Sequence, residues 1–140
     1  AITAGVLVLL MLYFGVVPGL SVLALPAFVA LAVVTALGAG LWLSALNVKY
    51  RDVRYTLPFL GQAWLFVSPV SYPSSLVPPA WQALYGVNPM AGVIEGFRWA
   101  LLGTAPPAST IWVSAALAVA IFVGGLFYFR RMEASFAEIV

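Results

Sequence analysis

Uncharged, apolar stretches separated by short polar ones make up most of this chain. Four apolar runs occupy residues 1–17, 22–46, 56–72 and 109–129. A helix that crosses the hydrocarbon core of a bilayer needs about 20 apolar residues, with a range of about 17–25. The pattern therefore predicts four membrane-spanning helices. Pro58 in the third run is compatible with a helix, because a proline in the first turn lacks only an N–H that has no helical partner.

Residues 78–102, between the last two runs, have a different pattern that predicts two shorter helices. Asn88-Pro89 provides an N-cap followed by proline at the first helical position, and Gly103 provides a C-cap. The second of these helices, with about 14 residues and a length of about 21 Å, is shorter than the hydrocarbon core of about 30 Å. We therefore expect an outer re-entrant helical hairpin, which enters the bilayer and leaves it on the same side.

Small residues recur every four positions in two of the predicted spans. This spacing lets two helices approach closely in lipid. We expect these residues to pack within one helix bundle, and the alternative is a seam between two copies of the chain. Ser21 is expected to cap the second span, and Arg130-Arg131 to end the last one. The small residues are Ala32, Ala36, Gly40 and Ser44 in the second span and Ala116, Ala120 and Gly124 in the last.

The composition indicates a membrane protein. Hydrophobic residues form 64% of the chain, which has only six basic and four acidic residues, and the mean hydropathy is +1.10. Soluble domains draw about a quarter of their residues from the charged set. The predicted fold class is therefore an all-α integral membrane protein surrounded by membrane lipid. A net charge of +2 is too small to indicate a nucleic-acid partner.

The basic residues also predict the topology. Residues 49–54 hold three of them, and Arg130-Arg131 form a second cluster. The positive-inside rule places both clusters in the cytoplasm, so two crossings separate them and both ends of the chain are cytoplasmic. The chain starts at Ala1, without Met and already within an apolar run, so we expect it to be the C-terminal part of a longer protein.

No catalytic or metal site is predicted. The chain has neither Cys nor His, which excludes disulfides, thiolate metal ligands and the most common general base. It has no phosphate-binding G-x-x-x-x-G-K-[ST] sequence, and Glu95 is the only carboxylate expected near membrane depth. We therefore predict no enzyme activity, no cofactor and no metal. Any energy from ATP has to come through a partner.

The charged cluster within residues 49–54 is the first candidate functional site. It is either a cytoplasmic anchor or, because an aspartate lies between two arginines, a mixed-sign surface that a cytosolic protein binds. Its members are Lys49, Tyr50, Arg51, Asp52 and Arg54.

Two pairs of residues within the predicted membrane region are further candidates. Glu95 and Arg98 share one helix face. Ionisable residues at membrane depth usually have a function, and the alternative is that these two neutralise each other at the outer interface. Trp64 and Phe66 lie in the middle of an apolar run, where rings can line a conduit and stack on sugars. The alternative is the interfacial aromatic belt, which accounts for most other aromatic residues of the chain.

Two long segments and the C-terminal tail resemble the ABC-2 type permeases that export polysaccharides, namely the membrane subunits for O-antigen, capsule and teichoic acid. The segments read NVKYRDVRYTLPFLGQAWLFVSPVSYP at residues 47–73 and NPMAGVIEGFRWALLG at residues 88–103. The YRD stretch, the LPF…Q.W.F.SPV.YP helix, the NPM…E.FR segment and the F…E…FAE.I tail follow each other in the order of that family. The resemblance covers the chain from about Leu20, and the first apolar run fits by position only.

The resemblance implies a six-helix permease that forms a homodimer, pairs with cytosolic ATPase subunits and moves a lipid-linked glycan across the bacterial inner membrane. The chain then corresponds to helices three to six. The second ATPase contact of the family falls on residues 48–55, and its outer re-entrant hairpin falls on residues 78–102. Two alternatives stay open: an ABC-2 exporter of drugs or small lipids, and a membrane-embedded glycan transferase, which needs acid–base residues that this chain lacks.

Overall fold

Helices are the regular secondary structure of the part of the chain that the computed structural model describes. This part comprises residues 2–17, 19–68, 76–104, 106 and 110–137, and contains no strand. The all-α prediction is confirmed for these residues. A 3₁₀ turn at Leu20–Ala24 precedes the second helix. The six α-helices are α1 (Ile2–Tyr13), α2 (Leu25–Lys49), α3 (Val53–Val67), α4 (Pro79–Gly86), α5 (Pro89–Leu102) and α6 (Thr110–Ala137).

Two segments of the described chain are long and apolar enough to cross a membrane, Leu20–Lys49 and Thr110–Ser135. The first predicted span forms the shorter helix α1, which ends four residues early because the chain turns at Gly15, whose φ is +67°. The third predicted span corresponds to α3 as far as Val67, and its last residues, 69–72, lie outside the described residues. Helix α3 begins three residues earlier than predicted, at Val53, so Pro58 lies inside the helix and not in its first turn. The count of four spans stays a prediction.

Helix α6 is longer than expected at its C-terminal end. It continues through Arg130-Arg131 to Ala137, so the prediction that the two arginines end the helix was wrong. Arginine, methionine, glutamate and alanine all have high helix propensity. The two arginines therefore give the backbone no reason to change conformation at that point.

Helices α2 and α6 form the most extensive contact of the fold. A Cβ added to Gly38 would lie 2.8 Å from the backbone of Phe122, and one added to Gly125 would lie 2.9 Å from the Gly38 carbonyl oxygen. Further along both helices, the Trp42 ring stacks on Tyr128 at a centroid distance of 4.8 Å. Since later residues of α2 meet later residues of α6, the helices run in the same direction. The cluster at residues 49–54 and Arg130-Arg131 therefore lie at the same end of this helix pair.

Helix α5 packs against both of these helices and runs opposite to α2. Its Gly92 lies against Ser114 of α6, and Gly96 lies directly beneath the Phe28 ring of α2. Further along, the Ala100 carbonyl accepts a hydrogen bond from the Ser21 hydroxyl at 3.1 Å. The prediction that Ser21 caps α2 was wrong, because its hydroxyl serves this tertiary contact and the residue before α2 is Ala24, which makes no side-chain cap.

The small residues that contact a neighbouring helix differ from the predicted set. The closest approach uses Gly38 and Gly125, whereas Ala36, Gly40 and Ser44 are exposed. The expectation that the stripe at residues 32–44 packs within the bundle was therefore wrong for these three residues. On α6, Ala116 and Ala120 are likewise exposed, and Gly124 lies against the Trp42 ring.

Candidate functional site

Asn88 joins the start of α5 to the end of α3. It is buried, and its side-chain oxygen accepts a hydrogen bond from the Met90 N–H at 3.0 Å, which confirms the predicted N-cap. Its carbonyl oxygen accepts from the Ala91 N–H, also at 3.0 Å. Its side-chain amide donates to the Ser68 hydroxyl oxygen at 3.0 Å. The caps of two helices are thus tied together inside the protein.

Ser114 of α6 completes this polar junction. The side chain is fully buried, and its hydroxyl oxygen accepts a hydrogen bond from the Gly92 N–H at 3.2 Å. The same hydroxyl donates to the Asn88 carbonyl oxygen at 3.4 Å. Because Pro89 has no N–H, the first three N–H groups of α5 all have partners. A helix N-terminus that leaves no donor unpaired tolerates burial among apolar helices.

An open groove of about 560 Å³ lies beside this junction, between α2, α3 and α5. One side of α2 between Val29 and Ala39 lines it, together with Trp64 of α3 and Met90 and Phe97 of α5. Thr35 contributes the one hydroxyl among these lining residues, and it donates to the carbonyl of residue 31 at 2.8 Å. The groove is therefore lined almost entirely by apolar side chains, and α3 contributes the Trp64 ring to it.

The structure separates the two candidate conduit aromatics. Trp64 is 50% exposed and lines the groove. Phe66 is 78% exposed and is not among the groove residues. Residues two positions apart on a helix point in different directions, so Trp64 faces this groove and Phe66 does not. A role of the two rings in a conduit stays a prediction.

Glu95 and Arg98 are both partly buried on α5. Their spacing of three places them on one side of the helix, next to the buried face that contains Gly92, Gly96 and Ala100. Helix α5 has the predicted length and the predicted caps, with Gly103 in the left-handed conformation at its C-terminal end. A functional role for the charged pair stays a prediction.

The charged cluster forms the exposed connection between α2 and α3. Lys49 is the last residue of α2, and its ammonium lies 5.4 Å from the centre of the Tyr50 ring. Asp52 precedes α3 without capping it through its side chain, while its carbonyl accepts a hydrogen bond from the Thr56 hydroxyl at 3.2 Å. All five members, Lys49, Tyr50, Arg51, Asp52 and Arg54, are exposed. Their arrangement leaves charges of both signs accessible at one end of the helix bundle.

The profile of the ABC-2 type transporter family matches residues 1–102, which includes the charged cluster, the groove and helix α5. The chain belongs to the ABC-2 type transporter family. This match confirms the family that the resemblance of its motifs predicted. The match ends at the last residue of α5, so α6 and its contacts with α2 lie beyond it.

Individual relatives agree with this assignment. This ABC-2 chain is 24% identical over 139 residues to the O-antigen export system permease protein RfbA of Klebsiella pneumoniae, which covers 99% of the chain and 54% of the relative. It is 26% identical over 128 residues to the protein of the same name from Myxococcus xanthus, covering 89% and 49%. The inner membrane transport permease YadH of Escherichia coli strain K12 is 30% identical over 87 residues, covering 61% and 34%. The chain spans about half the length of the O-antigen relatives that it matches.

Sequence reasoning identified Asn88 as a cap and missed its other contacts in this ABC-2 chain. Ser68 and Ser114 were not candidates, although both are buried and bonded to Asn88. Trp42 was not a candidate either, and its indole N–H donates to the Ile121 carbonyl at 3.1 Å. One available signal was the occurrence of Ser and Asn within otherwise apolar stretches, because buried polar side chains need hydrogen-bond partners.

Proposed function

We propose that the chain is part of the permease subunit of an ATP-driven exporter that moves a lipid-linked polysaccharide across the bacterial inner membrane. The observation that carries this proposal is the match over 89% and 99% of the chain to two permeases named for O-antigen export. The match to a permease named only for inner membrane transport supports the broader class. A drug or small-lipid exporter of the same family is the second candidate.

A separate cytosolic ATPase subunit supplies the energy in this proposal, and it binds the cluster formed by Lys49, Tyr50, Arg51, Asp52 and Arg54. The exposure of all five side chains supports this role. Interfaces of mixed charge favour one partner over others and accelerate the encounter. In the proposed topology both this cluster and Arg130-Arg131 face the cytoplasm, in agreement with the positive-inside rule.

Two copies of the permease form the conduit in this proposal, and α4 and α5 form a re-entrant hairpin at its outer side. Helix α5 is too short to cross the bilayer, since 14 residues span about 21 Å. The polar junction around Asn88 supports re-entry, because it satisfies the helix N-terminus without water. The partly buried Glu95 and Arg98 then line the outer exit.

The proposed cargo is tested with the complete permease and its ATPase in lipid vesicles. We expect ATP-dependent movement of a lipid-linked O-antigen glycan, detected by access of an external glycosidase. Vesicles that move a fluorescent phospholipid or drug, and leave the glycan in place, would instead support the second candidate. A membrane-embedded transferase would extend or transfer the glycan without the ATPase, and the same vesicles report this outcome.

A further inference from the structure

Three helices of the structure form a tightly packed block that excludes α3. Close approaches join α2 to α6, α2 to α5, and α5 to α6. Helices in such close contact cannot shift past one another without clashes, so we treat the three as one block. Helix α3, by contrast, buries none of its side chains, and its main helix contact is with α2. The close approaches are those of Gly38 to Phe122, Gly96 to Phe28, and Gly92 to Ser114.

Among the described residues, one buried side-chain hydrogen bond attaches the end of α3 to this block, and it lies at the C-terminal end of the helix. Ser68, the C-cap residue of α3, is 4% exposed. Its hydroxyl oxygen accepts the hydrogen bond from the Asn88 amide. Asn88 is itself fixed in the block through Met90 and Ser114. If Ser68 moved away from Asn88, the buried amide of Asn88 would lose its acceptor, which is costly. A change in the angle of α3 about Ser68 leaves this hydrogen bond intact.

The opposite end of α3 is exposed to solvent. It starts at Val53, directly after the charged cluster, and the 15 residues of the helix place this end about 22 Å from Ser68. A small rotation about the buried end therefore becomes a large displacement at the exposed end. Trp64, one turn before Ser68, moves with the helix, and its ring forms the α3 side of the groove.

We propose that α3 is a lever that pivots at the Ser68–Asn88 hydrogen bond and that changes the width of the groove through Trp64. Ser68 and Asn88 are then positioning residues for transport. The inference rests on the proposed function, in which an ATPase subunit binds the cluster at the free end of α3. Displacement of that end on ATP binding moves Trp64 relative to Met90 and Phe97 of the fixed block.

The lever is tested by measuring distances within the complete permease–ATPase complex. Cysteines of the complex outside this cysteine-free chain are replaced first. A Cβ added at Gly40 of α2 or at Gly61 of α3 meets nothing within 4 Å. Gly40→Cys with Gly61→Cys therefore places two spin labels with little disturbance. Gly40→Cys with Ala120→Cys, both exposed, provides a control pair within the block. Labelled permease is mixed with an excess of unlabelled permease, so that the measured distances lie within one copy and not between two copies.

Gly61 lies about 10 Å from Ser68 along the helix, so we expect a rotation of about 10–20° on trapping ATP to change the 40–61 distance by about 2–4 Å, while the 40–120 distance stays constant. An unchanged 40–61 distance in a complex that binds ATP and transports would overturn the lever. Loss of glycan movement with a normal distance change would count against the proposed cargo and leave the lever supported. The two proposals therefore fail in different ways.

A second variant tests the pivot itself. Ser68→Ala removes the acceptor of the Asn88 amide, so we expect a broader 40–61 distance distribution. We also expect a lower coupling ratio, defined as the amount of cargo moved per ATP hydrolysed. Ser68→Thr keeps the hydroxyl and should restore the coupling. Equal coupling ratios in Ser68→Ala and the unsubstituted protein would refute the pivot. If Ser68→Ala fails to fold, the distances in the unsubstituted complex still decide the question.

Discussion

The backbones of Gly38 and Phe122 approach so closely that no side chain fits between them. A Cβ at residue 38 would lie 2.8 Å from both the nitrogen and the Cα of Phe122. Backbone atoms cannot give way as the end of a flexible side chain can. The contact therefore fixes how near α2 and α6, which run parallel, come to each other.

Gly38→Ala should destabilise the protein by about 1–3 kcal/mol, the range for overpacking a tight interior. Gly40→Ala is the matched control, because an added Cβ there meets nothing within 4 Å, so only the higher helix propensity of alanine acts and should stabilise that variant by about 0.5–1 kcal/mol. Thermal or denaturant unfolding in detergent measures both variants. Equal stabilities of the two variants would show that the glycine contact between α2 and α6 is absent.

The parallel arrangement of α2 and α6 also predicts the membrane topology. A single Cys at Asn47, near the end of α2, should react from the same side as one at Ser135, near the end of α6. A single Cys at Thr104, after α5, should react from the other side. The measurement uses a membrane-impermeant thiol reagent on intact and on opened cells, in the cysteine-free chain. Reaction of Asn47→Cys and Ser135→Cys from opposite sides would contradict the arrangement.

Arg51→Glu with Arg54→Glu should weaken binding of the ATPase subunit roughly tenfold, because reversing two exposed charges turns attraction into repulsion at an interface of mixed sign. Arg130→Glu with Arg131→Glu makes the same change in net charge at the same end of the helix pair, and it should have a smaller effect. A titrated pull-down at two salt concentrations measures both. If both pairs of substitutions weaken binding equally, the cluster acts only through the net charge at this end of the protein and is not a specific binding site for the ATPase subunit.

The sequence predictions were correct where a feature depends on neighbouring residues and failed where it depends on contacts between helices. The caps of α5 were predicted correctly because Asn88-Pro89 and Gly103 act on the backbone next to them. The face of α2 that contacts α6 was not predicted correctly. Small residues recur along the predicted stripe at residues 32–44, but the neighbouring face with Gly38 is the one that contacts α6. Only the position of α6 decides between them. The contact of Ser68 with Asn88, twenty residues apart, likewise depends on how α3 and α5 meet.

The two aromatic residues of α3 should differ in their effect on export. Trp64 lines the groove between α2, α3 and α5, and Phe66 lies outside it. If cargo passes along the groove, Trp64→Ala removes a contact made during transport and should lower the export rate by roughly tenfold, which corresponds to about 1.4 kcal/mol. Trp64→Phe keeps a ring and should retain most of the rate, and Phe66→Ala should have a smaller effect. Export rates at equal amounts of folded complex measure this, and a larger loss for Phe66→Ala would place the cargo on the other side of α3.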